Sequence, residues 1–274
     1  MAEIIDLTEH VSYMPHGMGD RPILGYIHGE NAAIVVDGGS SPQQAEDFLS
    51  ALGKKRVNEI DAVLLTHGHW DHISGAGYIA PICLCNPETA YEIERSVTDF
   101  SEKNLKNLHS LNKIQEFGYH NMMLEYEGHE KVIEKAKPII VYGPLRVNLG
   151  GVTIAYFPIQ TCHCNHCSAI YVEEDQTMFA GDILWPDMES DDWKYSVSAL
   201  KQLKKHVQEL HAKYIIDSHE QPRTAKYIYA WLDKITAECE HCRRDKNYIP
   251  TFDGFACRME YDGCLTQSIV NAVE

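Results

Sequence analysis

The tightest constraint on this chain is one run, Leu64-Leu65-Thr66-His67-Gly68-His69-Trp70-Asp71-His72-Ile73-Ser74-Gly75, in which three histidines and an aspartate fall within six residues. The segment before it, Ile60 to Leu65, is apolar and rich in branched residues, and it is short enough for a buried strand. Gly68 marks a sharp turn at its end. Imidazole nitrogen and carboxylate oxygen are the ligands that suit zinc, iron and manganese. On a loop leaving a strand end, His67 and His69 turn toward one metal, and Asp71 and His72, entering the next helix, point at a second position beside it. So short a cluster is an incomplete ligand set, and the rest of the chain must supply the remainder.

The chain has 274 residues and a formal net charge of -16. It is long enough to bury a real core in one large domain or two small ones. With no short-period repeat and no low-complexity linker, a single domain over residues 1–274 is the simplest organisation. The acidic balance argues against a nucleic-acid partner, because phosphate binding relies on lysine and arginine. There is no cationic start followed by an apolar core and no apolar run of membrane-span length. A cytoplasmic protein without a membrane partner is expected. The nine cysteines, an odd count, read as reduced thiols or metal ligands rather than a disulfide framework. The expected partner is a small-molecule substrate, with a homodimer left open.

Taken in order, the chain begins as a β-meander, with strand candidates at Ile4 to Leu7, Val11 to Met14 and Ile23 to His28. Ala32 to Val36 is a buried strand ending in Asp37-Gly38-Gly39. Ser41 caps a helix with Pro42 at its first position, and Gly53 stops it. After the histidine run, Ile79 to Leu84 reads as a strand and Asn86-Pro87 as a helix start. Residues 88–136 look mostly helical and polar, with Leu105, Leu108, Leu111 and Ile114 at three-residue spacing, and they read as a helical insertion that breaks a βα rhythm. Within it, Phe117, Tyr119, Met122, Met123, Leu124 and Tyr126 serve either as core packing or as an apolar wall above a site. Strands return at Ile139 to Tyr142, Leu145 to Leu149 and Val152 to Phe157, with Gly150-Gly151 as a hairpin turn. Ala169 to Val172 pairs with Met178 to Ala180. Ser198 to Leu210 is an amphipathic helix, Tyr214 to His219 a last buried strand, and a long helix runs through Tyr227, Trp231 and Ile235. Phe255 to Met259 and Leu265 to Val270 read as a closing strand or hairpin.

Three later features can complete the ligand set. Thr161-Cys162-His163-Cys164-Asn165-His166-Cys167-Ser168 lies on a turn between strands, Gly181-Asp182 ends one strand, and His219 tips another. Each sits at the end of a short apolar strand, and sheets gather their strand ends along one edge, where sites tend to lie. In the first of these, His163 and His166 are both candidate ligands. Cys162, Cys164 and Cys167 read as buried or partly exposed thiols, with metal binding or redox activity as the alternatives. Cys239-x-x-Cys242 with Cys257 and Cys264 imitates a structural zinc site, although the second pair is badly spaced.

Over most of its length, and in order, the sequence resembles the metallo-β-lactamase-fold hydrolases. The resemblance rests on His67-x-His69-x-Asp71-His72, His163, Asp182, His219 and Asp37, the last matching the family's structural aspartate. It implies an α/β fold, a four-layer αββα sandwich with the metals at one edge. It implies two divalent ions, zinc first and iron or manganese as alternatives. His67, His69 and His163 would hold one ion, Asp71, His72 and His219 the other, and Asp182 would bridge them. Asp71 and Asp182 are the implied catalytic residues, with a metal-bridging hydroxide as nucleophile and Asp71 also in proton transfer. Two features depart from the pattern: Thr161-Cys162 replaces the usual Pro-Gly, and Ser74 replaces the first glycine of the pair after the opening motif. The implied activity is hydrolysis of a small-molecule ester, lactone, thioester or phosphodiester. The alternative is an iron-dependent oxidoreductase of the same fold, persulfide dioxygenase-like or di-iron. Flavodiiron members, however, carry a glutamate where this chain has His69.

Overall fold

A computed structural model describes residues 3–53, 59–129, 131–188 and 195–244. Two sheets form the framework. In the first, strands β1 (Ile5–Asp6), β2 (Val11–Met14), β3 (Leu24–His28), β4 (Ala33–Val36), β5 (Ile60–Leu64), β6 (Cys83–Cys85) and β7 (Pro138–Ile140) lie in sequence order. The first four are antiparallel, and β4 through β7 are parallel. The switch follows from the connections. Short turns join β1 to β4, whereas helix α1 (Pro42–Leu52) carries the chain from β4 back to β5, as a parallel pairing requires. Ser41 caps α1 by accepting from the Gln44 N–H, Pro42 opens it and Gly53 closes it.

The second sheet has the order β13-β12-β11-β10-β9-β8. Its strands are β8 (Leu145–Asn148), β9 (Thr153–Pro158), β10 (Ser168–Val172), β11 (Thr177–Phe179), β12 (Tyr214–Ile216) and β13 (Arg223–Thr224). The β8–β9 hairpin turns at Gly150 and Gly151, both at positive φ, as a two-residue turn of this kind needs. Helix α7 (Val197–Glu209) lies between β11 and β12, and α8 (Ala225–Arg244) follows β13.

Side-chain alternation builds the layers. In β4, Ile34 and Val36 enter the apolar layer between the sheets with Ile154, Ile170, Phe179 and Ile216 of the second sheet. Ala33 and Val35 point the other way, into a layer with Phe48 and Leu52 of α1. On the far side, Ala169, Met178 and Ile215 pack against Leu200, Leu203, Val207, Ile228 and Leu232 of α7 and α8. The result is the expected αββα order. No helix among the described residues is long and apolar enough to cross a membrane.

Three differences from the sequence reading stand out. Ile79 does not open a strand: it ends the short helix α3 (Ala76–Ile79), and β6 begins only at Cys83. Gly75, just ahead of α3, lies against Ser41 and Ala45 at the start of α1 and lets α3 pack on that helix, and an apolar run that short carries no period to separate the two states. Tyr214 to Ile216 is not the last strand of the sheet, since β13 adds an edge beyond it. The leucine stripe is buried at Leu105 and partly at Ile114, but it breaks between them, because α5 (Glu102–Ser110) stops before Leu111, which is 58% exposed. Helices α4 (Pro87–Arg95), α5 and α6 (Glu116–Glu125) occupy much of residues 88–136, and Phe100, Leu105, Met122, Tyr126 and Ile133 form a small core of their own there. Residues 255–270, with Cys257 and Cys264, lie outside the described residues.

The two sheets meet closely at Gly25, where an added Cβ would stand 2.3 Å from Cε1 of Phe179. Gly25→Ala is expected to cost about 1–3 kcal/mol, as overpacking of a tight core does. Thermal unfolding should show a midpoint lower by several degrees, partly restored by adding Phe179→Leu. An unchanged midpoint would contradict this account of the sheet interface.

Candidate metal centre

The strand ends of both sheets converge on one edge. Asp37 follows β4, and the run from Thr66 to His72 follows β5 and enters the single-turn helix α2 (Trp70–Ile73). His163 lies on the β9–β10 connection. In the parallel pair β11–β12, Phe179 is in register with Ile216. Asp182 and His219 each stand three residues beyond that pair, so they reach the same height at the sheet edge.

His67, His69 and His163 form one group of donor atoms, and Asp71, His72, Asp182 and His219 form a second, the atoms within each lying within 4.8 Å of one another. In the first group, Nε2 of His67 and Nε2 of His163 approach Nδ1 of His69 at 3.2 and 2.8 Å. The far nitrogens are tied down. His163 Nδ1 donates to the Pro186 carbonyl at 3.1 Å, and His67 Nδ1 donates to the Thr66 hydroxyl at 3.1 Å. Those bonds assign the tautomers and leave Nε2 of each ring as the free lone pair. In the second group, Asp71 Oδ2 lies 3.0 Å from His72 Nε2 and 3.1 Å from His219 Nε2. His72 Nδ1 donates to Asp37 Oδ2 at 2.9 Å. Asp182 stands between the groups: its oxygens lie 3.4 Å from His163 Nε2, 3.4 Å from His72 Nε2 and 3.4 Å from His219 Nε2.

Nearly all of this is buried, yet His72 Nε2 and Asp182 Oδ1 have no hydrogen-bond partner among the described residues. Buried polar atoms left unpaired are costly, and two such atoms aimed into a cluster of lone pairs are what metal ligation resolves. The donor set therefore fits two divalent ions, with imidazole and carboxylate as the ligands.

The two groups differ electrostatically. Burial pushes the His67, His69 and His163 imidazoles below their usual range, His69 to about 3, and the neighbouring imidazoles add to that. Burial also acts against charge on His72 and His219. There the carboxylates of Asp71 and Asp182 outweigh it and hold both rings well above the usual histidine range. Reciprocally, His72 and His219 overcome burial to keep the Asp71 and Asp182 carboxyls low.

His166 is not brought into either group. Its ring stands 6.3 Å from that of His67 and 6.0 Å from that of His69, and it lines a separate cavity with Glu88, Tyr91 and Glu92. Cys164 and Cys167 are buried as neighbours with sulfurs 3.0 Å apart, Cys162 is half-buried with its thiol pushed up to about 11 by burial, and none joins the donor groups. Cys239 and Cys242 are buried on α8. Ser74 replaces a glycine without harm because its hydroxyl donates to the Trp70 carbonyl at 2.6 Å. Gly75 has no such freedom, since a Cβ there would meet the Gly38 carbonyl oxygen at 2.3 Å.

Sequence reasoning missed Asp20, Asp217 and Trp185. Asp217 accepts from the N–H groups of His219 and Leu184 and from Trp185 Nε1. It sits two residues before His219, the spacing of an Asx-turn, and that signal was available. Asp20, at positive φ on the β2–β3 connection, lies 3.9 Å from His219 Nδ1. Nothing in the local sequence marks it. Burial raises both carboxyls to about 7, with Asp71 adding to the effect at Asp20 and Asp182 at Asp217.

An ion entering the second group must displace protons from His72 and His219, whereas the first group offers lone pairs already free. Metal affinity falls with pH wherever a proton must leave. If both groups bind an ion, dialysis from pH 8 toward pH 5 is expected to remove one at Asp71, His72 and His219 first. One at His67, His69 and His163 should survive to lower pH. Metal per chain measured at each step should show two separate losses, and a single concerted loss would contradict the asymmetry.

Comparison with known proteins agrees with this geometry. The family model of the metallo-beta-lactamase superfamily matches residues 24–219. No curated protein matches the chain. Among solved structures, an archaeal metallo-beta-lactamase superfamily protein from Sulfolobus tokodaii is 20% identical with a TM-score of 0.57, the match covering 97% of this chain and 96% of that one. The stereoselective inverting sec-alkylsulfatase Pisa1 from Pseudomonas sp. is 12% identical with a TM-score of 0.62, over 98% of this chain and 47% of that one. The flavodiiron protein from Giardia intestinalis is 14% identical with a TM-score of 0.55, over 88% of this chain and 61% of that one. With the two-sheet sandwich, the clustered donors and a family match across both sheets, the chain belongs to the metallo-beta-lactamase superfamily.

Proposed function

We propose that this protein is a hydrolase of a small molecule that works with two divalent ions, zinc in the first instance. The observation that carries this reading is the position of Asp182, within 3.4 Å of nitrogens from both donor groups. A carboxylate so placed is a natural bridge between two ions. In this reading His67, His69 and His163 hold one ion, and Asp71, His72 and His219 hold the other.

When bound, such ions supply Lewis acidity, acidifying a water and offsetting charge on the oxygen of the bond being cut. The protein supplies orientation and proton handling. Thr66, Asp37 and Pro186 fix the imidazole rings so that their free lone pairs face inward, an outer-shell arrangement that sharpens affinity. Asp71, with Oδ2 between His72 and His219, is placed to accept a proton from an attacking water. Trp70, Phe117 and Met122 give the cavity beside the centre an apolar wall for the substrate. Ester, lactone, thioester and phosphodiester bonds all suit this chemistry. The likeness to a sec-alkylsulfatase adds sulfate esters to the bonds worth testing.

A second reading, iron-dependent redox chemistry, draws on the likeness to a flavodiiron protein. Metal content separates the two. Protein purified without added metal should carry two divalent ions per chain and turn over at least one member of a panel of lactone, thioester, phosphodiester and sulfate-ester substrates. One iron per chain with oxygen uptake would overturn the hydrolase reading. Asp182→Asn should lower kcat by roughly 10²-fold or more, the scale of losing a key electrostatic group, and should reduce bound metal. Unchanged metal content would contradict the bridging role.

A further inference from the structure

The cavity over the donor groups encloses about 540 Å³ and extends beneath α4 and the α5–α6 loop. That volume suits a single small organic molecule. Its lining divides by chemistry. Asp71, Asp182 and His219 lie at the metal end, Trp70, Phe117, Met122 and Trp185 form an apolar stretch, and Arg95 and Lys113 stand exposed at the rim.

Some surface bases of this acidic chain pair with acids: Lys106 with Glu102, Arg146 with Glu173, Lys201 with Glu240 and Lys204 with Asp233. Arg95 and Lys113 have no ion-pair partner among the described residues, and they come from separate segments that meet at one cavity. Arg95 is steadied instead by Tyr91: its guanidinium lies 5.1 Å from the ring centroid and donates to the hydroxyl at 3.3 Å. Glu92 also lines the cavity, but it belongs to the other end. Its Cβ lies against Gly68 of the histidine loop, and its charge acts on His166. The remaining carboxylates of the lining, Asp20, Asp71 and Asp182, also gather at the metal end. Arg95 and Lys113 are the fixed positive charges of this lining, beside its apolar side chains.

We infer that the substrate is an anionic amphiphile, with its anionic group at Arg95 and Lys113, its apolar body along Trp70, Phe117 and Met122, and its hydrolysable bond at the donor groups. The placement of that bond rests on the proposed hydrolase reading; the anion subsite does not. Because both cations are exposed, their contribution is modest and screened by salt.

Octanoate and octanamide share an apolar chain and differ in charge, so they serve as probes. In calorimetric titration of the metal-loaded protein at 50 mM NaCl, octanoate should bind about tenfold more tightly, the scale of two exposed charge contacts. The preference should shrink at 500 mM NaCl and vanish in the Arg95→Gln/Lys113→Gln variant, with metal content and thermal midpoint unchanged. Arg95→Glu/Lys113→Glu should favour octanamide. A preference for octanoate that survives in the double glutamine variant would place the carboxylate at the metals and overturn the inference, as would equal binding of the two probes. Failure of the hydrolase reading looks different: no ester in the panel is turned over, yet the octanoate preference remains.

Discussion

The Asp37 carboxylate is the interaction on which the centre depends. It is 1% exposed and accepts three hydrogen bonds, from the Thr66 N–H at 2.8 Å, the Thr66 hydroxyl at 2.9 Å and His72 Nδ1 at 2.9 Å. A buried carboxylate is tolerable only when so fully partnered. Through these bonds one residue reaches both donor groups. His72 is held directly, and His67 is held through the Thr66 hydroxyl that its Nδ1 contacts. Asp37 itself sits at φ 62°, in the left-handed region, at the end of β4. Such a backbone state is disfavoured for a residue with a side chain and persists where surrounding contacts enforce it. Here the Asp37 N–H donating to the Leu64 carbonyl, together with the three bonds to its side chain, does so.

The sheets make the remaining donors arrive together. β4 and β5 run parallel, so Asp37 and Thr66 leave neighbouring strands in the same direction. β11 and β12 run parallel in the other sheet and deliver Asp182 and His219. Backbone bonds from Ser168 to Thr66 and from Ile23 to Ser218 join the sheets at this edge. The apolar layer between the sheets thus fixes the distance between donors that no single segment could set. The centre is a product of sheet packing, and the histidine run is one half of it.

That division explains what the sequence made legible. Each donor follows a short apolar strand, so the run 67–72, Asp182 and His219 were marked by composition and position together. The Ser41-Pro42 and Asn86-Pro87 helix starts were equally plain, because capping is local chemistry. Ile79 was misread because the six residues from Ile79 to Leu84 carry no usable period, and packing of α3 on α1 decided for helix at its start. The choice of His163 over His166 rested on register alone, and the structure turns on a contact that no sequence displays, the 2.8 Å approach of His163 Nε2 to His69 Nδ1. Residues 88–136 had two readings, and both hold in part. Tyr126 is core, stacked on Phe100 with centroids 4.0 Å apart. Phe117 lines the cavity, and Met122 does both. Asp20 left no local trace because its role arises only when the β2–β3 connection meets His219.

The central claim is that one carboxylate joins two ligand groups into a two-ion centre. Anomalous diffraction at the metal edge, on crystals of protein as purified, tests it most directly. Two peaks per chain are expected roughly 3.5–4 Å apart, the usual spacing of two-metal sites. One should lie among His67, His69 and His163 and the other among Asp71, His72 and His219, with Asp182 touching both. A single peak, or a second ion seated at Cys164, His166 and Cys167, would contradict the account.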